Sequence, residues 1–270
     1  AIADPCAISF DVFMPYLAPP ILAQRTNELL ACLAAVRDAA GVVGLTPGDD
    51  SIVQPLAAAM RAADPTDRRA FARSRPPLAE AMGVARACIA VGDIGVHAHI
   101  RQVSCAASIA VLRALRPRTL SAEVTPHNLL LDEDELLRQG PFAKVVPPLR
   151  SPADLEAARE ALRDRTIDIV ATDHAPHLPE EKRTGETDIW RSPGGFPGVQ
   201  SFLPLMLRLV GDGILTYPDL VRTCCEAPAR LFGLYPHKGT LAVGADADIV
   251  IVDPDRQFEI RNEAQESKAC

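Results

Sequence analysis

The sequence predicts an α/β fold in which parallel strands alternate with helices, on the scale of one barrel domain. Apolar segments of strand length alternate along the chain with longer segments of helical periodicity, which is typical of βα units around a parallel sheet. The chain has 270 residues, of which 48% are hydrophobic. An α/β barrel needs roughly 250 residues. We therefore expect one main domain with a large buried core.

Five segments are predicted to form the strands of this sheet. They are residues 8–13, 42–45, 96–103, 120–124 and 167–172. Five strands cannot close an eight-stranded barrel, because each missing βα unit would leave an exposed sheet edge and an uncovered core. Either upstream residues or another chain would have to supply the rest, and we favour upstream residues.

Helices are predicted between these strands at residues 24–40, 77–91, 104–115 and 152–165. The last has a well-specified start, because Ser151 can cap it, Pro152 suits its first turn and Asp154 lies three residues after the cap. Near the C-terminus, residues 239–241 and 245–252 are predicted to form short β segments joined by a turn at Gly244. These segments indicate a small β appendage.

Charge and composition exclude several classes of protein. The formal net charge is −7 and Arg is interleaved with Asp and Glu, so the basic stripe that nucleic acid or anionic lipid would need is missing. The sequence has neither an apolar run of about 18 residues nor the regions of a signal peptide, which favours a cytoplasmic protein. Its seven cysteines show no CxxC spacing, which argues against a disulfide framework and a zinc knuckle.

The strongest chemical signal is in residues 171–177, Ala-Thr-Asp-His-Ala-Pro-His. A hydrophobic strand ends there directly in Asp173 and His174, at the carboxyl end of the strand, where barrel enzymes carry their catalytic groups. For an isolated Asp-His pair, the alternative is an Asp that caps the following turn. Pro and Gly cluster further on at residues 192–198, a composition suited to a loop lined by backbone groups.

Residues 171–182, Ala-Thr-Asp-His-Ala-Pro-His-Leu-Pro-Glu-Glu-Lys, resemble the signature of the dihydroorotases. Further segments are similar to that family in the same order along the chain: 123–129, 147–150 (Pro-Pro-Leu-Arg), 196–199 (Phe-Pro-Gly-Val), 225–232, 238–240 and 245–250. Residues 9–14 and 73–77 are more similar to the hydantoinases. Over nearly its whole length, the chain therefore resembles the cyclic amidohydrolases.

The resemblance implies a TIM-type (β/α)8 barrel, of which residues 1–235 supply mainly the later strands, followed by part of a small β-sandwich domain at residues 236–270. It also implies hydrolysis of a cyclic amide, with dihydroorotate first, as in pyrimidine biosynthesis, and hydantoins or dihydropyrimidines next. Members of the family use one or two divalent metals, usually zinc, to activate a water and polarise the ring carbonyl.

Site roles follow from the same resemblance. Asp173 matches the carboxylate that contacts the metal and carries a proton from the attacking hydroxide to the leaving nitrogen. Asp11 stands where hydantoinases have a carboxylated lysine and some dihydroorotases have Asp, so it is a second candidate metal ligand. His177 matches a position that contacts the substrate, and backbone groups of Pro197 and Gly198 would hold the ring.

Other expected groups are replaced in this chain. The family's fifth-strand His aligns with Pro47 and its sixth-strand His with Gln102, so two ligands of a second metal are lost. The Asn expected before Pro-Pro-Leu-Arg is Val146. If a His-x-His pair exists upstream, it would join Asp11 and Asp173 in a site that holds one metal per chain.

The segment from His97 to Arg101, His-Ala-His-Ile-Arg, imitates the family's first-strand His-x-His-x-Arg, because alternate residues of a strand share one face. The residues that follow fit the start of the helix after the sixth strand instead. We therefore favour His97 and His99 packed or hydrogen-bonded in the barrel wall over a metal role. His127 and His237 are expected to be structural.

Two functions of different classes stay open. One is the cyclic-amide hydrolase, which Asp173 and His177 favour. The other is a catalytically silent dihydroorotase homologue that serves as a scaffold, for instance for aspartate transcarbamoylase, and Pro47, Gln102 and Val146 favour it. An unclosed barrel with an exposed edge also predicts a homo-oligomer.

Overall fold

The computed structural model describes residues 7–15 and 25–269. Five parallel strands form one sheet in the described residues, in the order of the chain. They are β1 (Ser9–Phe13), β2 (Val42–Thr46), β3 (His97–Ile100), β4 (Leu120–Val124) and β5 (Ile169–Val170). All five predicted strands are confirmed, and their ends differ from the predicted ones by three residues at most.

Twelve α-helices lie in the described residues. They are α1 (Thr26–Asp38), α2 (Asp50–Ala63), α3 (Arg68–Arg73), α4 (Pro77–Ile94), α5 (Ala106–Leu115), α6 (Pro126–Leu130), α7 (Asp134–Gln139), α8 (Pro152–Arg163), α9 (Pro179–Arg183), α10 (Phe202–Gly211), α11 (Tyr217–Val221) and α12 (Ala227–Leu231). The four predicted helices correspond to α1, α4, α5 and α8, although the predicted start of α1 at residue 24 lies outside the described residues. None of the helices in this part of the chain is both long enough and apolar enough to cross a membrane.

The parallel register gives the sheet two different faces. Asp11, Gly44 and His99 lie side by side on neighbouring strands, and alternate residues of a strand point to opposite faces. On the other face, apolar side chains join one core with residues of α1, α4, α5 and α8; they include Val43, Leu45, Ala98, Ile100 and Val124. The helices therefore cover one face of the sheet, and the polar row belongs to the other.

The start of α8 confirms the predicted cap. The Ser151 hydroxyl accepts a hydrogen bond from the Asp154 amide at 3.3 Å, and Pro152 occupies the first turn. The Asp154 carboxylate in turn accepts from the amide of Ala106 at 2.9 Å. The same residue therefore fixes α8 to the first residue of α5.

A buried ion pair and its hydrogen bonds join three separate segments of the chain. Arg150, the last residue of the Pro-Pro-Leu-Arg segment, lies 3.1 Å from the carboxylate of Glu80 in α4. Arg150 also donates to the Ser104 hydroxyl at 2.9 Å, and the Ser104 amide donates to Glu80 at 2.9 Å. Each charge is hydrogen-bonded as well as paired, which offsets the cost of removing it from water.

The two C-terminal β segments are not formed. Residues 239–241 and 245–252 contain no strand, and the side chains of Leu241 and Ile251 are 81% and 94% exposed. An apolar segment becomes a strand only when a neighbour satisfies its backbone N–H and C=O groups, and the described residues pair none with it. The division into residues 1–235 and 236–270 stays a prediction.

A substitution in α4 tests how closely the backbone of the loop after β2 packs against this helix. A Cβ added at Gly83 would lie 2.0 Å from the backbone nitrogen of Gly48, which no side-chain movement can relieve. We expect Gly83→Ala to lower the free energy of unfolding by about 1–3 kcal/mol or more. Gly92→Ala in the same helix is the control, because its Cβ would meet only Pro117, at 3.8 Å. It should raise that free energy by about 0.5–1 kcal/mol, and urea denaturation of both variants measures the difference.

The ring of His127 in α6 is buried and lies 5.1 Å from the ring of Phe196 in an edge-on arrangement, which confirms its structural role. Burial lowers the pKa of His127 to about 3. Between this value and about 6.5 the unfolded chain binds a proton at His127 that the folded chain does not. The free energy of unfolding therefore falls by about 1.4 kcal/mol per pH unit as the pH drops through this window.

We expect His127→Phe to remove this contribution while keeping the packing against Phe196. Urea denaturation between pH 7 and 4 should show wild type losing more stability than the variant. His237→Phe, in an exposed turn, serves as the control and should follow wild type. Parallel curves for wild type and His127→Phe would contradict the burial of a neutral ring.

Candidate active site at the carboxyl end of the sheet

Asp173 lies at the carboxyl end of the sheet, three residues after β5. The amide of Ala171 continues the strand by donating to the carbonyl of Val124 at 3.1 Å. Asp173 itself has a φ of +47°, a left-handed conformation that residues other than Gly rarely adopt and that clusters at functional sites. The chain thus turns sharply out of the strand at the residue that the sequence singles out.

The carboxyl of Asp173 is hydrogen-bonded to one residue after β3 and lies near the charge of another. Its pKa is raised, because burial outweighs the hydrogen bond with the Gln102 side chain and the positive charge of Arg101, which both lower it. Gln102 is buried and also left-handed, with a φ of +56°. The structure therefore brings Gln102, at the position of an expected metal ligand, directly to Asp173.

Asp11 forms an ion pair across a neighbouring strand. A guanidinium nitrogen of Arg101 donates to its carboxylate at 2.8 Å. Gly44 of β2 lies between the two residues, and a Cβ there would be 2.3 Å from the Asp11 carboxylate and 3.2 Å from the Arg101 side chain. The absence of a side chain at Gly44 makes room for this pair. Arg101 therefore places its positive charge near both candidate carboxylates, Asp11 and Asp173.

His99 has polar partners at both ring nitrogens. Nε2 lies 2.9 Å from a carboxylate oxygen of Glu123, and Nδ1 lies 2.7 Å from the hydroxyl of Ser121. The prediction that His99 is hydrogen-bonded in the barrel wall is confirmed. For His97 it is wrong: the residue is exposed. His97 begins β3 at the amino end, where it lines a cavity of about 740 Å³ instead of packed core.

The two histidines of the motif contact the glycine loop, which we define as residues 192–199. Nδ1 of His174 accepts hydrogen bonds from the amides of Gly198 at 3.0 Å and Val199 at 3.2 Å. Nε2 of His177 donates to the carbonyl of Gly194 at 3.3 Å. The predicted substrate residues His177, Pro197 and Gly198 therefore belong to one assembly of motif and loop, and the Gly198 amide is engaged by His174.

The described residues do not fit a complete metal centre. Zinc sites use three or four protein ligands, and no group of three His, Cys, Asp or Glu in residues 7–15 and 25–269 could hold an ion. Asp11 is paired with Arg101, and both nitrogens of His99 are engaged. Asp11 and Asp173 could contribute to a metal only together with further ligands.

Two buried lysines behind the glycine loop were not singled out in the sequence. Lys144 and Lys182 are both buried. Burial and the positive charges of Arg75 and Lys182 lower the pKa of Lys144 to about 7. Lysines are normally expected at the protein surface, and the one sequence feature that could have indicated a buried role is that Lys182 ends the signature segment. The contact between Glu123 and His99 was also missed, because it joins two strands that are distant in the sequence.

Comparison with known proteins gives consistent results. A sequence profile of the amidohydrolase family matches residues 79–268. The chain is 37% identical over 266 residues to a dihydroorotase of Halobacterium salinarum, covering 96% of this chain and 60% of that protein. It is 32% identical over 256 residues to an L-hydantoinase of Paenarthrobacter aurescens, covering 93% of this chain and 56% of that protein.

Solved structures agree with the sequence relatives. An L-hydantoinase (dihydropyrimidinase) from Arthrobacter aurescens superimposes with a TM-score of 0.83 and 31% sequence identity, covering 89% of this chain and 54% of that one. The dihydropyrimidinase from Brevibacillus agri gives a TM-score of 0.81 at 26% identity. The chain thus spans between half and two thirds of the length of these relatives. Its five-stranded parallel sheet is a portion of their TIM-type barrel, and the chain belongs to the amidohydrolase family, whose members generally bind divalent metals.

Proposed function

We propose that this chain carries part of the active site of a cyclic-amide hydrolase that opens dihydroorotate, or a related hydantoin or dihydropyrimidine. The observation that carries the proposal is Asp173, half-buried at the barrel mouth in a left-handed conformation and faced by Gln102. The names of the relatives, dihydroorotase and L-hydantoinase, support a cyclic amide as the substrate.

Asp173 is the proton carrier in this proposal. Opening a ring amide requires removal of a proton from the attacking water and delivery of a proton to the ring nitrogen that leaves. One carboxylate can do both in succession, provided that it reaches both atoms. His177 and the backbone of Pro197 and Gly198, which belong to the assembly of motif and glycine loop, would orient the ring.

A divalent metal, with zinc as the first choice, would supply water activation and carbonyl polarisation when bound. Asp11 and Asp173 are its proposed ligands from this chain. Asp11 would have to exchange its partner Arg101 for the metal, and ligands beyond the described residues would be needed.

A second function is favoured by a specific observation. Pro47, Gln102 and Val146 replace groups that the reaction uses in the family, and Arg101 neutralises Asp11. These features suit a catalytically silent homologue that serves as a scaffold for aspartate transcarbamoylase. A homo-oligomer is also proposed, since the sheet ends in unpaired edges at β1 and β5 in the described residues.

Hydrolysis of dihydroorotate, followed by absorbance with zinc added and with the remaining strands of the barrel present, tests the enzyme proposal. We expect measurable ring opening by wild type and a loss of about 10²–10⁴-fold in kcat for Asp173→Asn, because the variant cannot carry the proton. Asp134→Asn, at an exposed position of α7, is the control and should keep wild-type activity. Hydantoin and dihydrouracil, assayed in parallel, identify the preferred ring.

Equal, null rates for wild type and Asp173→Asn on all three rings would overturn the enzyme proposal. Co-sedimentation with aspartate transcarbamoylase then tests the scaffold. A folded chain that neither hydrolyses a ring nor co-sediments would contradict both functions.

The metal proposal makes a separate prediction about stoichiometry. Because Pro47 and Gln102 cannot replace the two histidines that they align with, we expect no more than one tightly bound divalent metal per chain. Elemental analysis after dialysis against zinc measures the ratio. Two tightly bound metals per chain would show that other groups compensate for the replaced ligands.

A further inference from the structure

Two lysine side chains are enclosed beside the glycine loop. Lys182 in α9 is fully buried, and Lys144 is 4% exposed. A buried ammonium is costly unless hydrogen bonds replace its lost water. The partners of these two groups therefore indicate what the buried charges hold in place.

The partners are mostly carbonyl oxygens of one irregular segment. Lys144 Nζ donates to Ile189 at 2.8 Å, to Trp190 at 3.3 Å and to Ser192. Lys182 Nζ donates to Gly195 at 2.7 Å. The segment leading into and through the glycine loop lacks regular secondary structure, so these ammonium groups take the place of strand or helix partners for its carbonyls.

The two lysines are also linked to each other through backbone. The carbonyl of Lys144 accepts from Lys182 Nζ at 3.0 Å and from the amide of Gly195 at 3.0 Å. Residue 195 is therefore held at both its N–H and its C=O. Gly195 has a φ of +147°, and a Cβ there would lie 2.5 Å from the carbonyl oxygen of Ala175. The loop backbone lies directly against the motif at this point.

The held segment presents the groups that meet the motif. The carbonyl of Phe196 accepts from the amide of Ala175 at 3.0 Å. On either side of it, Gly194 contacts His177 and Gly198 contacts His174. A shift of the loop would change all of these contacts together, because Gly195 is adjacent to Gly194 and Phe196 and lies in the same short segment as Gly198.

We propose that Lys144 and Lys182 are positioning residues that form a buried clamp, which holds the glycine loop against residues 173–177 and thereby sets the width of the substrate site. A lysine amine suits this task, because its nitrogen offers up to three N–H donors and can bind several carbonyls at once. The clamp follows from the contacts alone. Its effect on substrate rests on the proposed hydrolase function.

Amide hydrogen exchange of the purified chain tests the clamp directly. In Lys182→Met and in Lys144→Met, we expect exchange of the amides in residues 192–199 to become at least tenfold faster, while amides of α8 keep their wild-type rates. Methionine retains the length and apolar stem of lysine but offers no donor. Lys238→Met is the matched control, because Lys238 pairs with Asp246 and Asp248 at the surface, and its loop exchange should equal that of wild type.

Unchanged loop exchange, or exchange that rises equally throughout the chain, would overturn the clamp. So would a failure of both methionine variants to fold, because the lysines would then support the whole fold and not the loop in particular. If only one variant folds, its exchange pattern decides.

Steady-state kinetics test the effect on substrate. For the preferred cyclic amide, we expect KM to rise at least fivefold in Lys182→Met, with a smaller change in kcat, since Asp173 keeps its own contacts with Gln102. An unchanged KM beside faster loop exchange would overturn the substrate role and leave the clamp. If wild type hydrolyses no ring, the proposed function fails, and the exchange experiment still decides the clamp.

Discussion

The parallel pairing of five strands in chain order is the constraint on which the other features depend. In such a sheet the carboxyl ends of all strands meet at one edge, and alternate residues share a face. Asp11 on β1 can therefore meet Arg101 after β3, across the empty position of Gly44. Asp173 meets Gln102 for the same reason, although 71 positions separate them in the sequence. A change of register by one residue would move a strand residue such as Asp11 to the helix-covered face and break its pairing with Arg101.

Charged side chains hold the irregular parts of this barrel in place. Arg150 joins the Pro-Pro-Leu-Arg segment to Glu80 and Ser104, and Lys182 and Lys144 hold the carbonyls beside the motif. Loops carry backbone groups that no ladder satisfies, so a buried loop requires side-chain partners. Two of the segments that resemble the dihydroorotases therefore have a structural role in addition to any contact with substrate.

The barrel mouth has features of an active site, but an arginine lies beside its carboxylates. Left-handed residues at Asp173 and Gln102 are typical of functional positions. In the described residues, however, the positive charge beside the carboxylates comes from Arg101. The geometry supports a carboxylate that carries a proton, at Asp173, more directly than it supports a metal centre. The first feature favours the hydrolase and the second favours the silent scaffold, so both functions are proposals to be tested.

The sequence alone determined the five strands, the helices α1, α4, α5 and α8, the cap at Ser151 and the family, because these depend on local periodicity and on contiguous motifs. It also identified Asp173 and the replaced positions Pro47 and Gln102. Only the tertiary structure decided that Arg101 pairs with Asp11, that Glu123 and Ser121 hold His99, and that Lys144 and Lys182 are buried. It likewise decided that residues 245–252 remain unpaired despite their strand-like pattern. The physical reason is the same in each case: a pattern reports what one segment prefers, whereas an ion pair, a buried charge or a strand exists only when a partner from a distant segment is present.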